Sequence, residues 1–390
     1  MKQKIIFLLL IIVMLINDCN SSASLDDGSG PAPVKHLVAI GGAFTDIIVP
    51  SGHALYDALL TSPRFLTKEP FLEYNALLDH LPLIPGGSAA NATAIFAQLG
   101  GHASFGSTIG SDKTGGRDKA GEIWRSSLNN LGVDMQLHTC GSEPTGGCLV
   151  CVHPDGQRSM RTYLGTENVP GNDFTSLTFN ENSIVFVEGY GLSNEAKYPL
   201  YLKAMERAKA EGSYIVVSAS DPFCIKNQRY RFIEMLQTTA DLFIMNEEEA
   251  CELVSNEGIK GDLQACVEFI QAISKRAVIT LGAAGAIAVD GKDIWHCSAR
   301  AVDVVDTLGA GDAFAGGFLY GLSVGWKTDE CLQLGSHMAG KVVACHGARL
   351  SEDLSNIIKD KKHKDISAQQ IRSLKELAVG VVDPVIGAEE

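Results

Sequence analysis

The stretch DTLGAGDAFAGGFLYGL, Asp306 to Leu322, sets two aspartates around a pair of glycines and then runs into an apolar, helix-like segment. Gly309, Ala310 and Gly311 let the backbone turn tightly and come close to a ligand, because none carries more than a methyl group. A helix starting here leaves its first N–H groups without intrahelical acceptors, and those amides, backed by the helix dipole, favour an anion. Asp312 falls at the expected helix start, where the dipole favours its ionised form and its carboxylate can take a proton from a hydroxyl lying against that anion. The chemistry this suggests is phosphoryl transfer: amides hold the migrating group while the acid readies its acceptor. An isolated Asp at a helix start reads as an ordinary N-cap. Here a second acid and two glycines in the same turn shift the reading toward function. Other phosphate loops fit badly, since a dinucleotide fingerprint needs glycine or alanine where Phe314 stands, and GLSVGWKT misplaces one glycine of a Walker A loop.

Such a turn needs a sheet to hold it. After a Ser/Gly/Pro-rich linker, HLVAIGGAFTDIIV reads as a buried strand, a Gly-Gly turn and a second strand. Apolar runs near Ile184, Ile215, Phe243 and Ile279 are each followed by a helix-like segment. That alternation predicts an α/β fold, a three-layer sandwich with a mostly parallel central sheet flanked by helices. Two regions break the alternation. GGCLVCVHPDGQRSMRTYLG reads as a hairpin about Pro-Asp-Gly, and a long mixed stretch separates the first strand pair from the glycines at 86–87. Together, residues 47–83 and 146–165 are expected to form a small β-sheet lid. The domain expectation is a leader over 1–24, a linker over 25–34, the main domain over 35–355 and a helical tail over 356–390.

DTLGAGDAFAGGF resembles the carboxyl-terminal signature of the ribokinase family, also called the PfkB carbohydrate kinases. GGSAANATAIFAQLGGHASFGSTIGSD resembles the family's amino-terminal signature, in the family's order. The resemblance implies a ribokinase-like fold and an ATP- and Mg2+-dependent kinase acting on an alcohol group. It implies Asp312 as the base, with the amides of Gly309, Ala310 and Gly311 stabilising the phosphoryl group. Asp46, Gly86, Gly87 and Asn91 would grip the hydroxyls of a sugar ring. Asn246 and Glu249, in NEEEA, resemble an N-x-x-E motif that positions magnesium and its waters. Thr280, Gly282 and Gly285 match a loop approaching the nucleotide, and Asp306 and Gly347 fall where many members bind a monovalent cation such as K+. The lid hairpin, with Arg158 near the phosphates, and SASDPFC lean toward the adenosine-kinase-like branch. Gly42, standing where adenosine kinases commonly carry Asn, departs from it. Phe44, Tyr163 and Phe223 are candidate stacking partners for a base, although core packing is the commoner role of such rings. The expected acceptor is a nucleoside; a free sugar such as ribose or fructose is the alternative within the family, and a non-catalytic scaffold is the alternative outside it. Monomer and homodimer through the lid both remain open.

Composition bounds the partners. The chain has 390 residues, 45% of them apolar, and a formal charge of −14 without a long basic run. That argues against nucleic-acid or anionic-membrane surfaces and for a small-molecule ligand. Lys2 and Lys4 precede an apolar run from Ile5 to Ile16, the layout of a signal or targeting peptide. As a helix that run spans only about 18 Å, short of the roughly 30 Å membrane core, so no stable anchor is expected. Among ten cysteines, Cys148 and Cys151 sit three apart in a strand-like run and so point to opposite faces, which argues against a metal or redox pair. Scattered core-like cysteines give the body of the chain an intracellular character behind a secretory or organelle address. Asn91-Ala92-Thr93 is a glycosylation sequon inside the expected substrate motif, in conflict with export past the glycosylation machinery.

Overall fold

The first buried strand, HLVAI, leads into the lid through the Gly-Gly turn and anchors the main sheet at the same time. The computed structural model describes residues 35–154, 158–255, 262–274, 276–360 and 362–374; the expected leader and linker lie outside them. The strands are β1 (His36–Ile40), β2 (Phe44–Pro50), β3 (Ile84–Gly86), β4 (Ala103–Gly110), β5 (Asp134–Cys140), β6 (Gly146–Val152) and β7 (Arg158–Tyr163), followed by β8 (Ser183–Glu188), β9 (Tyr214–Ser218), β10 (Leu242–Asn246), β11 (Arg276–Thr280), β12 (Ala286–Asp290), β13 (Asp293–Cys297) and β14 (Ala368–Ile371).

A ten-stranded sheet has the order β14-β13-β12-β11-β10-β9-β8-β1-β4-β5. From β11 to β5 every pairing is parallel, and β12 to β14 add an antiparallel edge. Helices connect the parallel strands, and both sheet faces are covered. On β8, Ile184 and Phe186 pack with the helices Ser88–Gln98 and Ala310–Ser323, while the alternate Val185 and Val187 are equally buried. Continuous apolar burial of this kind is why the parallel strands read as unbroken hydrophobic runs. The architecture is the ribokinase-like α/β sandwich expected from the sequence. One reading is corrected: the tail is not wholly helical. Beyond the short helix Ser355–Lys359, β14 pairs antiparallel with β13. Four residues, AQQI, are too few and too polar to announce an edge strand, which forms only because β13 offers a free edge. Residues 375–390 lie outside those described.

The second sheet is small, β3-β2-β6-β7. β2 runs parallel to β6, with Asp46 opposite Cys148, and β6 pairs antiparallel with β7. Its outer face packs Ile47, Val49, Leu149, Cys151 and Tyr163 against the helices Tyr56–Thr61 and Lys68–Leu77. Alternation along the strands turns Asp46, Cys148, Val150 and Arg158 the other way, over a cavity. Cys148 and Cys151 thus face apart, and all cysteines among the described residues are free. The Pro-Asp-Gly turn of the hairpin falls partly outside the described residues.

Candidate active site

The cavity, about 810 Å³, lies between the small sheet and the carboxyl ends of the parallel strands. Its floor is the mouth of the helix Ala310–Ser323. The N-cap is Gly309, at φ +75°, three residues before Asp312, so the helix starts earlier than the sequence suggests. A Cβ at Gly309 would lie 2.4 Å from Ala348 Cβ, so both the conformation and the space require glycine. No side chain caps this helix. Ala310 N–H donates to Thr307 O at 3.3 Å, whereas the N–H groups of Gly311 and Asp312 meet no acceptor among the described residues. Open amides at a helix start are an anion site.

Asp312 stands beside them. Its Oδ1 accepts from Ser88 Oγ at 2.7 Å and its Oδ2 from Asn91 Nδ2 at 2.9 Å. Burial pushes its proton affinity up, against Asn91, Ser88 and the charge of Arg349, which pull it down. The expectation that the dipole alone keeps it ionised is therefore incomplete: desolvation is the largest influence, and hydrogen-bond donors oppose it. Asp46 projects from the small sheet into the same space, and its carboxylate makes no hydrogen bond among the described residues. Burial raises it to about 7, with Arg349 and Arg158 pulling the other way.

The glycines at 86–87 are where two loops meet. Gly87 sits at φ +91°, and a Cβ on it would come within 2.7 Å of Gly42 O, while one on Gly86 would touch Asp46 Oδ2. Below this junction Glu188, fully buried, accepts from Gly42 N at 2.6 Å and Ala89 N at 3.0 Å, and burial raises it to about 8. Gly42 itself is hemmed in, since a Cβ there would meet the Phe44 ring at 2.6 Å and the Glu167 carboxyl at 3.2 Å. The space for an asparagine is filled by Phe44.

A second helix mouth faces the cavity at Asn246. Here Asn246 Oδ1 accepts from Glu249 N and Glu249 Oε2 accepts from Asn246 N, both at 2.8 Å, a complete capping box. Glu249 is 5% exposed and burial raises it to about 7, with its Oε1 left unbonded toward the cavity. No cluster of three or more metal-ligating side chains occurs among the described residues.

The structure brings Asp46, Gly87, Asn91, Arg158, Asn246, Glu249, Thr280 and residues 309–312 together around one cavity. Gly86 lies just behind, its carbonyl accepting from Trp124 Nε1 at 3.0 Å. Gly282 and Gly285 form the turn between β11 and β12 outside the cavity wall; a Cβ on Gly285 would strike Cys297 O. Asp306 is buried behind the helix mouth, taking Leu308 N at 2.9 Å and Gly347 N at 2.7 Å, and it is ion-paired to Arg158 of the lid. Gly347 thus meets Asp306 through its N–H. The Nη1 of Arg158 is buried without a partner among the described residues. Of the aromatic candidates, Phe44 and Phe223 line the cavity, joined by Phe65, whose ring lies 5.3 Å from that of Phe223. Tyr163 does not: it stacks on Phe71 in the lid core, and its hydroxyl bonds Glu143. Sequence reasoning missed Ser88, although it stands inside GGSAAN, and Arg349, for which no local pattern exists.

Open amides at a helix mouth, a neighbouring buried carboxylate and an acid from the small sheet share one cavity, an arrangement suited to phosphoryl transfer to an alcohol group. The comparisons agree. The model of the pfkB family carbohydrate kinases matches residues 48–354, and the chain belongs to that family. Aminoimidazole riboside kinase of Salmonella typhimurium is 27% identical over 61% of this chain and 74% of its own length. Adenosine kinase of Schizosaccharomyces pombe is 27% identical over 75% of this chain and 87% of its own. The crystal structure of adenosine kinase from Sinorhizobium meliloti superposes with a TM-score of 0.73 at 27% identity, covering 84% of this chain and 99% of that one.

Proposed function

We propose that the chain transfers the γ-phosphoryl group of ATP to a primary hydroxyl of a nucleoside, with Asp312 as the base. The observation that carries this is the placement of two unpartnered helix-mouth amides next to the Asp312 carboxylate, in the same cavity as Asp46. A hydroxyl between Asp312 and the phosphate gives its proton to the carboxylate as its oxygen bonds to phosphorus and the bridging P–O bond of ATP breaks, leaving ADP. The open amides of Gly311 and Asp312, rather than that of Ala310, which bonds Thr307 O within the turn that starts at Gly309, face the charge on the phosphoryl oxygens. The unbonded carboxylate of Asp46 offers two acceptors to a vicinal pair of hydroxyls, and accepting from them favours its ionised form. Gly86 and Gly87 keep that edge of the cavity bare, and Asn91 holds the base beside it.

Thr280 and the turn through Gly282 and Gly285 would lie along the nucleotide. Glu249 would hold magnesium through water, with Asn246 fixing its orientation; the ion would supply neutralising charge at the phosphates. A monovalent cation at Asp306 would compete with Arg158 for the same carboxylate, and an Arg158 so released would be free to meet phosphate through its unpartnered Nη1. The rings of Phe44, Phe65 and Phe223 favour a substrate carrying a flat base, as does the riboside or adenosine named for the two relatives. The lid sheet is covered outside by its own helices, and residues 64–66 lie along the free edge of β7, which favours a monomer over a lid-to-lid dimer.

Asn91 is 5% exposed and engaged at both ends of its amide, so the sequon could be modified only in a chain that has not folded. No helix among the described residues is long and apolar enough to cross a membrane. The test of the proposal is acceptor-dependent ADP formation by the purified protein with magnesium-ATP and adenosine, inosine, guanosine, ribose or fructose. The highest kcat/KM is expected with a nucleoside. A preference for free sugar would replace the nucleoside reading, and no acceptor-dependent turnover with any of them would support the scaffold instead.

A further inference from the structure

Arg349 follows the helix Thr328–Val343 by a short loop and does not line the cavity. Its guanidinium is used within the protein: Nε donates to Asn91 Oδ1 at 2.9 Å, Nη1 to Ser127 Oγ at 2.6 Å and Nη2 to Gly86 O at 3.3 Å. All of these acceptors are neutral. Holding a desolvated cation on neutral partners is costly, and burial lowers its proton affinity to about 10, against the fields of Asp46 and Asp312. The arrangement needs a reason other than stability.

The reason lies in the direction of the bonds. A guanidinium has only donors, so the Asn91 atom facing it must be the carbonyl oxygen. That leaves the Asn91 NH2 group on the opposite side, where it too can only donate, and its partner is Asp312 Oδ2. We infer that Arg349 is a positioning residue for phosphoryl transfer: by fixing the orientation of the Asn91 amide it aims and holds the Asp312 carboxylate in its accepting form. This rests on the reading of Asp312 as the base. Besides Arg349, the titratable groups whose fields meet Asp312 are Asp46, Glu188, Tyr190 and Glu249. The carboxylates all raise its proton affinity when ionised, and Tyr190 stays neutral at working pH, its affinity raised further by burial. Arg349 is thus the cation opposing them at this carboxylate.

The experiment is a double-mutant cycle on the full-length chain, Arg349→Met against Asn91→Ala, with Arg349→Lys and Asp312→Asn alongside. Rates are measured from pH 5.5 to 9 with magnesium-ATP and the acceptor of highest kcat/KM among the five compounds above. Removing the donor raises the Asp312 proton affinity, and the base works only when ionised, so the acid limb of the profile moves to higher pH. A shift of about 1 unit is expected for Arg349→Met, which is about tenfold lost below the limb and little above it. Arg349→Lys, keeping charge and one donor, restores part of it. Because Arg349 acts in part through Asn91 and in part through its own charge, the double variant should lose clearly less than the product of the two single losses. An unmoved limb, or losses that multiply, overturns the inference, since a purely structural role lowers the rate equally at every pH. Should Arg349→Met lower the melting temperature enough to leave unfolded protein, the limb and the cycle are read with Arg349→Gln, which also removes the charge, under the same two criteria. The parent reading is judged separately by Asp312→Asn: if that variant retains turnover, Asp312 is not the base and both fall; if it is dead and the Arg349 criteria fail, only the role of Arg349 falls.

Discussion

Two helix mouths open on one cavity, and they are finished in opposite ways. At Asn246 the sequence closes the helix completely, since side chain and backbone of Asn246 and Glu249 satisfy each other and leave a single carboxylate oxygen over. At Gly309 nothing is closed: a left-handed glycine turns the chain, no side chain caps the helix, and two amides point into space. The capped mouth can contribute only the negative charge of its acid, which suits a cation. The open one contributes positive dipole and free donors, which suit an anion. Side by side they can divide a magnesium–phosphate pair between them.

Four measurements sharpen or break this contrast. The largest effect is expected at the open mouth itself. Asp312→Asn keeps the shape and removes the proton acceptor, and kcat should fall by about 10²–10⁴ with little change in KM; a variant within a fewfold of wild type would end the assignment. Next is Gly309→Ala. The left-handed conformation costs about 1–2 kcal/mol with a Cβ, and the clash with Ala348 displaces the amides, so a loss of roughly 10² in kcat and a lower melting temperature are expected together. At the capped mouth the effect should be smaller and of another kind. Glu249→Gln keeps an acceptor for the Asn246 N–H but not the charge, so turnover should drop roughly tenfold and require more magnesium, with melting almost unchanged. Equal magnesium dependence in the two proteins would remove Glu249 from the cation site.

The smallest effect is on stability against pH. Asp46 and Glu188 have folded-state proton affinities raised by burial to about 7 and about 8, above their values in an unfolded chain. The folded protein therefore binds more protons than the unfolded chain across the neutral range, and stability falls as pH rises through those values. Melting of the ligand-free protein should drop by roughly 2–5 °C between pH 6 and pH 9. A nucleoside bound at Asp46 should release a proton near pH 7, measurable as buffer-dependent binding heat. A rise in melting temperature over that range would contradict the buried-acid picture.

Legibility followed locality. The parallel strands were visible because burial on both faces leaves unbroken apolar runs, and the two glycine motifs were visible because a tight turn beside a helix start needs small residues in sequence order. The helix Ala310–Ser323 starts earlier than its sequence suggests because Gly309, not Asp312, makes the turn, a matter of one backbone angle. Tyr163 takes the commoner role expected of such rings, core packing, because strand alternation carries it to the outer face of the small sheet, against Phe71. β14 was missed because its pairing, not its composition, makes it a strand.

The sequence by itself determined the components: a glycine turn before an apolar helix, an acid within that turn, and alternating elements able to form a covered parallel sheet, all set by interactions over a few residues. Only the tertiary structure decided which groups far apart in the chain oppose one another, as when Asn91 meets both Asp312 and Arg349, or Arg158 reaches Asp306. Those contacts depend on how separate strands and loops are packed, and hydrogen-bond direction, desolvation and charge take their meaning from that packing alone.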